Sequence, residues 1–476
     1  AGFLISSYKH ILKANTDATG NSTLTPDDRD RLAKNFKGYD ISPDMVRLSL
    51  VNMYLHGFTD PHIYEYDTLT SEERWNEFAD VILANPPFMS PKGGIKPHKR
   101  FSIQTKRSEV LFLDYFIEHL TPMGRAGIIV PEGIHFVAQG GHVKLRHTLL
   151  ENGFLLADIT LPHGVFKPYA SVKTHILVID RILGQRNNSV LFIEIENDGF
   201  SQSDTRDPIA GSQLNAALKH IVSFKESIRD KKHWSRPDNE LRSYAIPKAV
   251  LLRSDNNAHL LGRWHDLPNR VIHRGDVPLM RLGELCEIRD GLSPNMATQP
   301  GDYVMVVPAE DRKTADHWDF EDKAVCIPLV SSAGHGKADI KRLHYQEGKF
   351  ALATTMCALF VKDEAVIRPR YLHIFLSAMC QELLVPLMCG ATNVTMSSNQ
   401  LADVMVPVPK IALQEEVIES DLINSKAAAM TVAAVALRDS SSDKEVIQLA
   451  ERVICDTETL MKSAKNRINI SEFLPS

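Results

Sequence analysis

The chain is expected to be an α/β protein whose first part is a doubly wound parallel sheet. Three observations carry that expectation. Short apolar runs recur between helix-like stretches over residues 1–182, namely Val81-Ile82-Leu83-Ala84, Ala126 to Val130 and Thr174 to Ile179, and each has the length of a buried strand. Between the first two lies Phe112 to Leu120, which has helical character. The composition is globular, with 43% hydrophobic and 24% charged residues, and 476 residues suffice for roughly two to four domains.

The first strand stops abruptly at Asn85-Pro86-Pro87-Phe88. The two prolines fix the backbone and remove two N–H donors. The Asn85 side chain and the Pro86 carbonyl are then free acceptors at a strand's carboxyl end, with an aromatic ring next to them. That set can hold a planar amino group and stack the ring that carries it. An exocyclic amine on a heteroaromatic ring is a poor nucleophile, because its lone pair is delocalised. Two acceptors aimed at its hydrogens favour the pyramidal, nucleophilic form, and an in-line methyl donor completes a displacement driven by positioning and electrostatics. The plain alternative is a Pro-Pro turn that ends a core strand.

Further stretches accompany the tetrapeptide: Gly38-Tyr39-Asp40-Ile41-Ser42, a helical run ending Asn52-Met53-Tyr54-Leu55-His56-Gly57, Asp67-Thr68-Leu69, Gly124-Arg125-Ala126-Gly127-Ile128-Ile129-Val130-Pro131, and Leu161-Pro162-His163-Gly164-Val165-Phe166. In this order they resemble the modification subunit of type I restriction–modification systems, which methylates adenine in DNA with S-adenosylmethionine. The resemblance covers about residues 1–200. It implies a class I, Rossmann-like methyltransferase domain over 1–182, with Asn85, Pro86, Pro87 and Phe88 as the catalytic set. It also implies that Gly2, Phe3, Asp40, Ile41 and Asp67 bind the cofactor and that Phe166 contacts an extruded base.

Each residue also has a local reading. Asp40 ends a short strand, where a carboxylate can accept from both ribose hydroxyls of a nucleoside; equally, with Ser42 and Asp44, it reads as a helix N-terminal residue. Asp67 precedes Thr70 and Glu73, which have capping-box spacing, so a turn leading into a helix is its other reading. Phe166 lies in a loop flanked by glycine and proline, where core packing competes with base contact. The family's cofactor loop reads roughly Asp-Pro-x-x-Gly-x-Gly-Gly-Phe, and Ala1-Gly2-Phe3-Leu4-Ile5 resembles its tail and the start of its helix. The sequence is therefore expected to be a fragment of a longer protein. From Gly2 to Asp40 the spacing exceeds the roughly 20 residues of a dinucleotide fold, with the polar stretch Asn15 to Asp30 between.

The net charge of −5 gives no overall nucleic-acid signature. Local charge does: Lys92, Lys96, Lys99, Arg100, Lys106 and Arg107 occur with no acidic residue before Glu109. Their glycines and prolines mark a mobile loop beside the catalytic strand. Such a loop suits a phosphate backbone next to a flipped base, although short charge runs are often plain solvated surface.

Residues 183–275 are mixed and more polar, and read as a connector that includes Phe192-Ile193-Glu194-Ile195-Glu196, the turn-rich stretch Gly199 to Ser212 and a helical run to about Lys231. A second recognisable region, 276–412, opens with Leu282-Gly283-Glu284-Leu285-Cys286-Glu287-Ile288-Arg289-Asp290-Gly291. It ends with Gly390-Ala391-Thr392-Asn393-Val394, Leu401-Ala402-Asp403, Val406-Pro407-Val408-Pro409 and Leu413-Gln414. It resembles one α/β target recognition domain of a type I specificity subunit, which reads a DNA half-site. Polar candidates in its middle are Ser331, Ser332, His335, Lys337, Lys341 and Arg342. Residues 413–476 read as two helices, with stripes at Leu413, Val417, Ile418, Leu422, Ile423 and at Val446, Leu449, Ala450, Val453, Leu460, and with capping-box spacing at Ser442 and Glu445. They form a spacer or dimerisation segment, or an intramolecular hairpin.

None of Cys286, Cys326, Cys357, Cys380, Cys389 and Cys455 is paired at CxxC spacing, so no zinc site or disulfide framework is indicated, and all six read as buried thiols of a cytoplasmic, prokaryotic protein. No stretch is apolar enough to span a bilayer. The expected function is site-specific DNA adenine-N6 methylation. The expected cofactor is S-adenosylmethionine, and the expected partners are double-stranded DNA and either a second copy or restriction and specificity subunits. Two other readings stay open: methylation of protein glutamine or ribosomal RNA guanine, and a non-catalytic DNA-binding fragment.

Overall fold

The computed structural model describes residues 1–88, 93–170, 172–252, 258–265, 277–333, 338–390, 394–440 and 444–467. The chain divides into two compact units, Ala1–Gly262 and Arg263–Ser476.

The first unit opens with α1 (Gly2–Ala14) and α2 (Pro26–Lys34). The second of these starts where it does because Thr25 and Asp28 form a reciprocal capping box and Pro26 fits the first turn. Strand β1 (Lys37–Asp40) leads into α3 (Pro43–Leu55), and β2 (His62–Glu65) pairs parallel with β1, Gly38 opposite Ile63. Ile5, Met53, Phe58 and Ile63 close a small core there.

A six-stranded sheet follows. Its strands are β3 (Ala79–Ala84), β4 (Leu120–Pro131), β5 (Leu155–Thr160), β6 (Thr174–Asp180), β7 (Ser189–Glu194) and β8 (Arg242–Pro247), in the order β3-β4-β6-β5-β7-β8. Helices α4 (Ser108–His119), α5 (Gly133–Phe136), α6 (His142–Glu151), α7 (Arg181–Gln185) and α8 (Leu214–Arg229) connect or flank them. Alternate residues of β7 feed two cores: Val190 and Phe192 join α4 and α6, and Leu191 and Ile193 join α8. Covering on both faces explains why β5 and β7 are buried nearly throughout.

Four expectations need correction. The sheet is mixed, not parallel: β3–β4 and β5–β7 are parallel, while β6 is antiparallel to β4 and β5, and β8 to β7. Strand β3 is an edge strand, with Val81 53% and Leu83 42% exposed, where its apolar run predicts burial. The segment 183–275 is no mere connector, because it supplies β7 and β8. Finally, no helix follows Asp67: residues 68–70 and 73–76 are turns. The Asp67 carboxylate accepts from the Leu69 and Thr70 amides and the Thr70 hydroxyl, so Thr70 is not free to cap a helix.

In the second unit, β9 (Leu279–Arg281) pairs antiparallel with β18, a strand described below, and between them lie two four-stranded sheets. Strands β10 (Cys286–Asp290), β11 (Tyr303–Val306), β12 (Lys313–Ala315), β13 (Phe320–Glu321), β14 (Ala324–Pro328), β15 (His344–Gln346), β16 (Lys349–Leu352) and β17 (Met356–Val361) form them, in the orders β10-β17-β14-β15 and β12-β11-β16-β13. One face of β14 and β17 packs on α9 (Pro369–Ala378) through Val325, Ile327, Leu359, Leu372 and Phe375; the other packs on the second sheet through Cys326, Phe360 and Phe350. Strand β18 (Met405–Pro407) returns to β9, and the Leu282 and Gly283 amides donate to the Val404 and Ala402 carbonyls at 2.9 and 3.0 Å. The two end motifs of this region are thus one closure.

Helix α10 (Ile411–Ser440) and α11 (Lys444–Arg467) pack on each other, with the Thr431 and Thr457 hydroxyls 2.7 Å apart. Gln414 anchors α10: its buried amide donates to the Val366 and Pro409 carbonyls and accepts from the Arg368 amide. Leu422 and Leu449, expected on apolar stripes, are exposed, while Val417 and Ala450 are buried. Ser442 lies outside the described residues, as do Asn393 and its two predecessors. Cys455 is exposed, against expectation; the other five cysteines are buried. No helix among the described residues is long and apolar enough to cross a membrane.

Candidate functional site

Asn85 follows directly on β3, whose Ala84 sits opposite Ile128 of β4. Pro86 is buried, Phe88 is half-buried, and the Asn85 side chain is exposed. Among the described residues, none hydrogen-bonds the Asn85 amide or the Pro86 carbonyl. Both acceptors are therefore available at the carboxyl edge of the sheet, as the Pro-Pro stop predicts. The Phe88 and Phe166 rings lie 5.7 Å apart with planes inclined by 59°. Two residues distant in sequence thus meet beside those acceptors, both of them partly exposed.

Phe166 rides on the loop between β5 and β6. The loop's stem is closed by the Leu161 amide donating to the Thr174 carbonyl at 2.9 Å. Its turn is closed by the Tyr169 and Ala170 amides donating to the Phe166 carbonyl, and Lys167 lies 3.4 Å from Asp204. Tyr169, at the tip, is 94% exposed.

Asp40 stands at the junction of a strand and a helix. It ends β1, and one of its oxygens accepts from the Ser42 amide at 2.9 Å while Ser42 caps α3. α1 lies against β1, since a notional Cβ on Gly38 would be 3.3 Å from the Leu4 side chain. Phe3 and Ile41 are exposed there, Ile41 by 66%. Asp67 is held by its own turn. Its three local hydrogen bonds leave about one lone-pair direction on Oδ2 for any ligand.

From Ile95 to Thr105 the basic stretch is hydrogen-bonded to the body of the first unit. The Ile95 amide donates to the Lys106 carbonyl, the Ser102 hydroxyl and Ile103 amide donate to buried Asp114 at 2.5 and 2.9 Å, and the Thr105 hydroxyl donates to the Gly140 carbonyl. Gly94 is required, having φ +76° and a notional Cβ only 2.5 Å from that of Lys106. Phe101 and Ile103 are buried beneath, against Trp75 in the case of Phe101. What remains outside is charge: Lys96, Lys99, Lys106 and Arg107 are exposed, and none forms an ion pair among the described residues. Arg100 is different, since it donates to Asn76 and lies 5.4 Å from the Trp75 ring. Lys92 lies outside the described residues.

In the second unit, His335 and Lys337 also lie outside the described residues. Ser332 donates to Asp339 at 2.8 Å, Arg342 pairs with Glu310 at 2.6 Å on the surface, and Lys341 is exposed.

One cluster was not singled out by the sequence. His135 Nε2 lies 2.6 Å from one oxygen of Asp158 and His175 Nδ1 lies 2.8 Å from the other, all three buried. Burial would lower the His175 pKa, but the Asp158 and Glu132 carboxylates outweigh it and raise it. For His135, burial prevails and lowers the pKa. Burial likewise works to raise the Asp158 pKa, and the two imidazoles overcome it. The available signal was a charged residue inside each of two strands that otherwise read as buried, because a buried charge demands partners.

Comparison with known proteins identifies the family of each part of the chain. Residues 1–239, half of the chain, match the family model described as N-6 DNA Methylase, and residues 275–420 match the type I restriction modification DNA specificity domain. The type I restriction enzyme EcoEI methylase subunit of Escherichia coli is 32% identical over 221 residues, covering 46% of this chain and 43% of that protein. The StySJI methylase subunit of Salmonella typhimurium is 32% identical over 248 residues, covering 50% and 45%. Among solved structures, the EcoKI M protein is 21% identical with a TM-score of 0.43, covering 54% of this chain and 59% of that one. The chain spans less than half the length of the two methylase subunits compared by sequence. By the match over residues 1–239, the chain belongs to the N-6 DNA methylase family.

Proposed function

We propose that this chain is a site-specific adenine-N6 DNA methyltransferase of a restriction–modification system. One observation carries the reading: Asn85 and the Pro86 carbonyl stand unclaimed at the carboxyl end of β3, beside the Phe88–Phe166 ring pair. An adenine flipped from duplex DNA presents an amino group and a ring to that set. Asn85 Oδ1 and the Pro86 carbonyl oxygen accept from the two amino hydrogens and draw the nitrogen lone pair out of the ring. Phe88 and Phe166 hold the ring plane. S-adenosylmethionine would supply an electrophilic methyl group, its sulfur–methyl bond breaking as the N6–methyl bond forms and S-adenosylhomocysteine leaving. The extra proton on the amine passes to solvent, which leaves N6-methyladenine.

The residues present fit that cofactor in part. The Asp40 carboxylate has an oxygen free of the Ser42 bond, suited to ribose hydroxyls, and exposed Phe3 and Ile41 suit a nucleoside ring. Asp67 has little capacity left for the adenine amine, so its contribution is the turn it fixes. The exposed lysines after Gly94 suit the phosphate backbone, and the match of residues 275–420 supports assigning site selection to the second unit. It also disfavours glutamine or ribosomal RNA as the methyl acceptor. Double-stranded DNA is the proposed substrate, and a second copy or restriction and specificity subunits are the proposed partners.

The test is nucleoside mass spectrometry of DNA from a methylation-free bacterial host expressing the protein or its Asn85→Ala variant. N6-methyladenine with the first and at least 100-fold less with the second is expected. Equal methylation by the two overturns the catalytic assignment, and no methyladenine from either soluble protein points to a missing partner subunit or to another acceptor, with RNA and protein tested next.

A further inference from the structure

We propose that Glu77 is a positioning residue whose carboxylate fixes the small sheet that carries Asp40 against the strand that carries Asn85. This role rests on the proposed function, since it concerns the spacing between the cofactor side and the base side of that site.

The two residues stand on different sheets. Asp40 ends β1, whose ladder partner is β2, and Asn85 follows β3, whose ladder partner is β4. Among the described residues no backbone ladder joins β1 to β3. Side chains make the connection. Glu77 lies just ahead of Ala79, where β3 begins. Its Oε2 accepts from the Tyr39 hydroxyl at 2.6 Å and from the Lys37 ammonium at 3.2 Å, both on β1. Its Oε1 accepts from Arg74 at 2.7 Å. The Arg74 guanidinium in turn covers the ring of Tyr64 on β2, 3.8 Å from its centroid. One carboxylate thus reaches β1 directly and β2 through Arg74. Tyr39 immediately precedes Asp40, and the Asp40 carbonyl accepts from the Tyr66 amide at 2.9 Å, so the end of β1 moves with the end of β2.

A fully exposed ion pair would contribute little. This network is more sheltered: the Arg74 and Glu77 side chains are 30% and 29% exposed, and the Tyr39 hydroxyl is partly buried. Burial works to raise the Glu77 pKa, but the Tyr39, Lys37 and Arg74 donors outweigh it and lower it, so the group stays a carboxylate. An amide in its place gives Tyr39 a weaker acceptor and removes the anion shared by two cations, Lys37 and Arg74.

The proposed reaction makes that spacing matter. A displacement needs the reacting atoms in line and roughly 3–3.5 Å apart, and a misplacement of about 1 Å costs about 100-fold. With Asp40 on the ribose of the methyl donor and Asn85 on the target amine, their separation depends on what joins β1 to β3. Glu77 touches neither ligand. Its loss therefore leaves each ligand's own contacts in place and spoils their alignment, so binding is kept while methyl transfer falls.

The experiment uses the full protein with Glu77→Gln, which keeps the side-chain shape, and Tyr39→Phe, which removes one hydroxyl and keeps the ring. Single-turnover methylation at saturating S-adenosylmethionine and DNA is expected to fall about 10- to 100-fold in Glu77→Gln, and by a smaller factor in Tyr39→Phe. The Kd of S-adenosylmethionine, measured by calorimetry, is expected to stay near the wild-type value. Hydrogen–deuterium exchange without cofactor or DNA should show faster exchange in peptides of β1 and β2 of Glu77→Gln and unchanged exchange in those of β4. Wild-type rates in both variants overturn the inference, as does equal exchange of the β1 and β2 peptides in wild type and Glu77→Gln. A Kd that rises in step with the loss of rate also overturns it, and makes Glu77 a support of the cofactor pocket alone. Wild-type rates in the variants of a protein that methylates adenine defeat this inference and leave the reaction. Loosened β1 and β2 peptides in a protein that makes no methyladenine leave the tether standing and defeat the reaction.

Discussion

At the scale of the residue, the site divides into groups whose chemistry is local and groups whose chemistry depends on the fold. Asn85 was legible because a Pro-Pro stop removes backbone donors wherever it occurs, and the structure leaves its acceptors open. Asp67 was legible as a turn residue, but its three hydrogen bonds inside that turn were not. Asp158 and His175 were hidden because each sits in a strand that otherwise reads as core, and their partnership is a register, not a motif. Phe166 lies between these cases: its loop was visible and its contact with Phe88 was not. The two rings give it a measurable share of the proposed reaction. Stacking of a base on an aromatic side chain is worth ~1–3 kcal/mol, so Phe166→Ala should lower single-turnover methylation about 5- to 150-fold at subsaturating DNA. Phe166→Tyr, which keeps the ring, should restore most of it. If Phe166→Ala methylates at the wild-type rate, the ring packs the loop and does not hold a base.

At the scale of the element, helices and central strands followed from their periodicity, whereas sheet edges and closures did not. β8 escaped the sequence reading because its residues, Arg242 to Pro247, alternate around a half-polar face, and its pairing with β7 spans a long insertion. β3 carries a buried strand's composition at a position with one open edge. Composition reports what a strand can pack against, not whether a neighbour is present. The closure of the second unit is a related case, in which the glycine of the opening motif has a steric cause. A Cβ on Gly291 would lie 1.9 Å from the Ala353 carbonyl oxygen, and the Gly291 amide donates to the Met356 carbonyl at 2.9 Å. Backbone must move to admit even a methyl group, at a cost of ~1–3 kcal/mol. Gly291→Ala should therefore lower the urea midpoint of the transition followed by probes in the second unit and leave that of the first unit in place. Equal midpoints would mean that β10 and β17 separate without penalty.

At the scale of the molecule, a protein of net charge −5 needs a local reason to hold DNA. The stretch after Gly94 supplies one. Its interior face is tied down by Asp114, Gly140 and the Trp75 cluster, so its lysines project from a fixed platform. Lys96, Lys99 and Lys106 are the right residues to test, because none forms an ion pair among the described residues, while Arg100 also braces Trp75 and Asn76. Phosphate contacts add affinity without reading sequence, and each one releases counterion, so log K falls with log salt at a slope of about 0.9 per contact. Replacing all three lysines by glutamine should weaken binding to mixed-sequence duplexes and flatten that slope by up to about 2.7, the sum of three contacts. Fluorescence anisotropy across a salt series reads both quantities, and sequencing of methylated sites reads specificity, which should not change. A slope that stays the same would make the stretch a solvated surface, and a changed site preference would move sequence reading from the second unit into this loop.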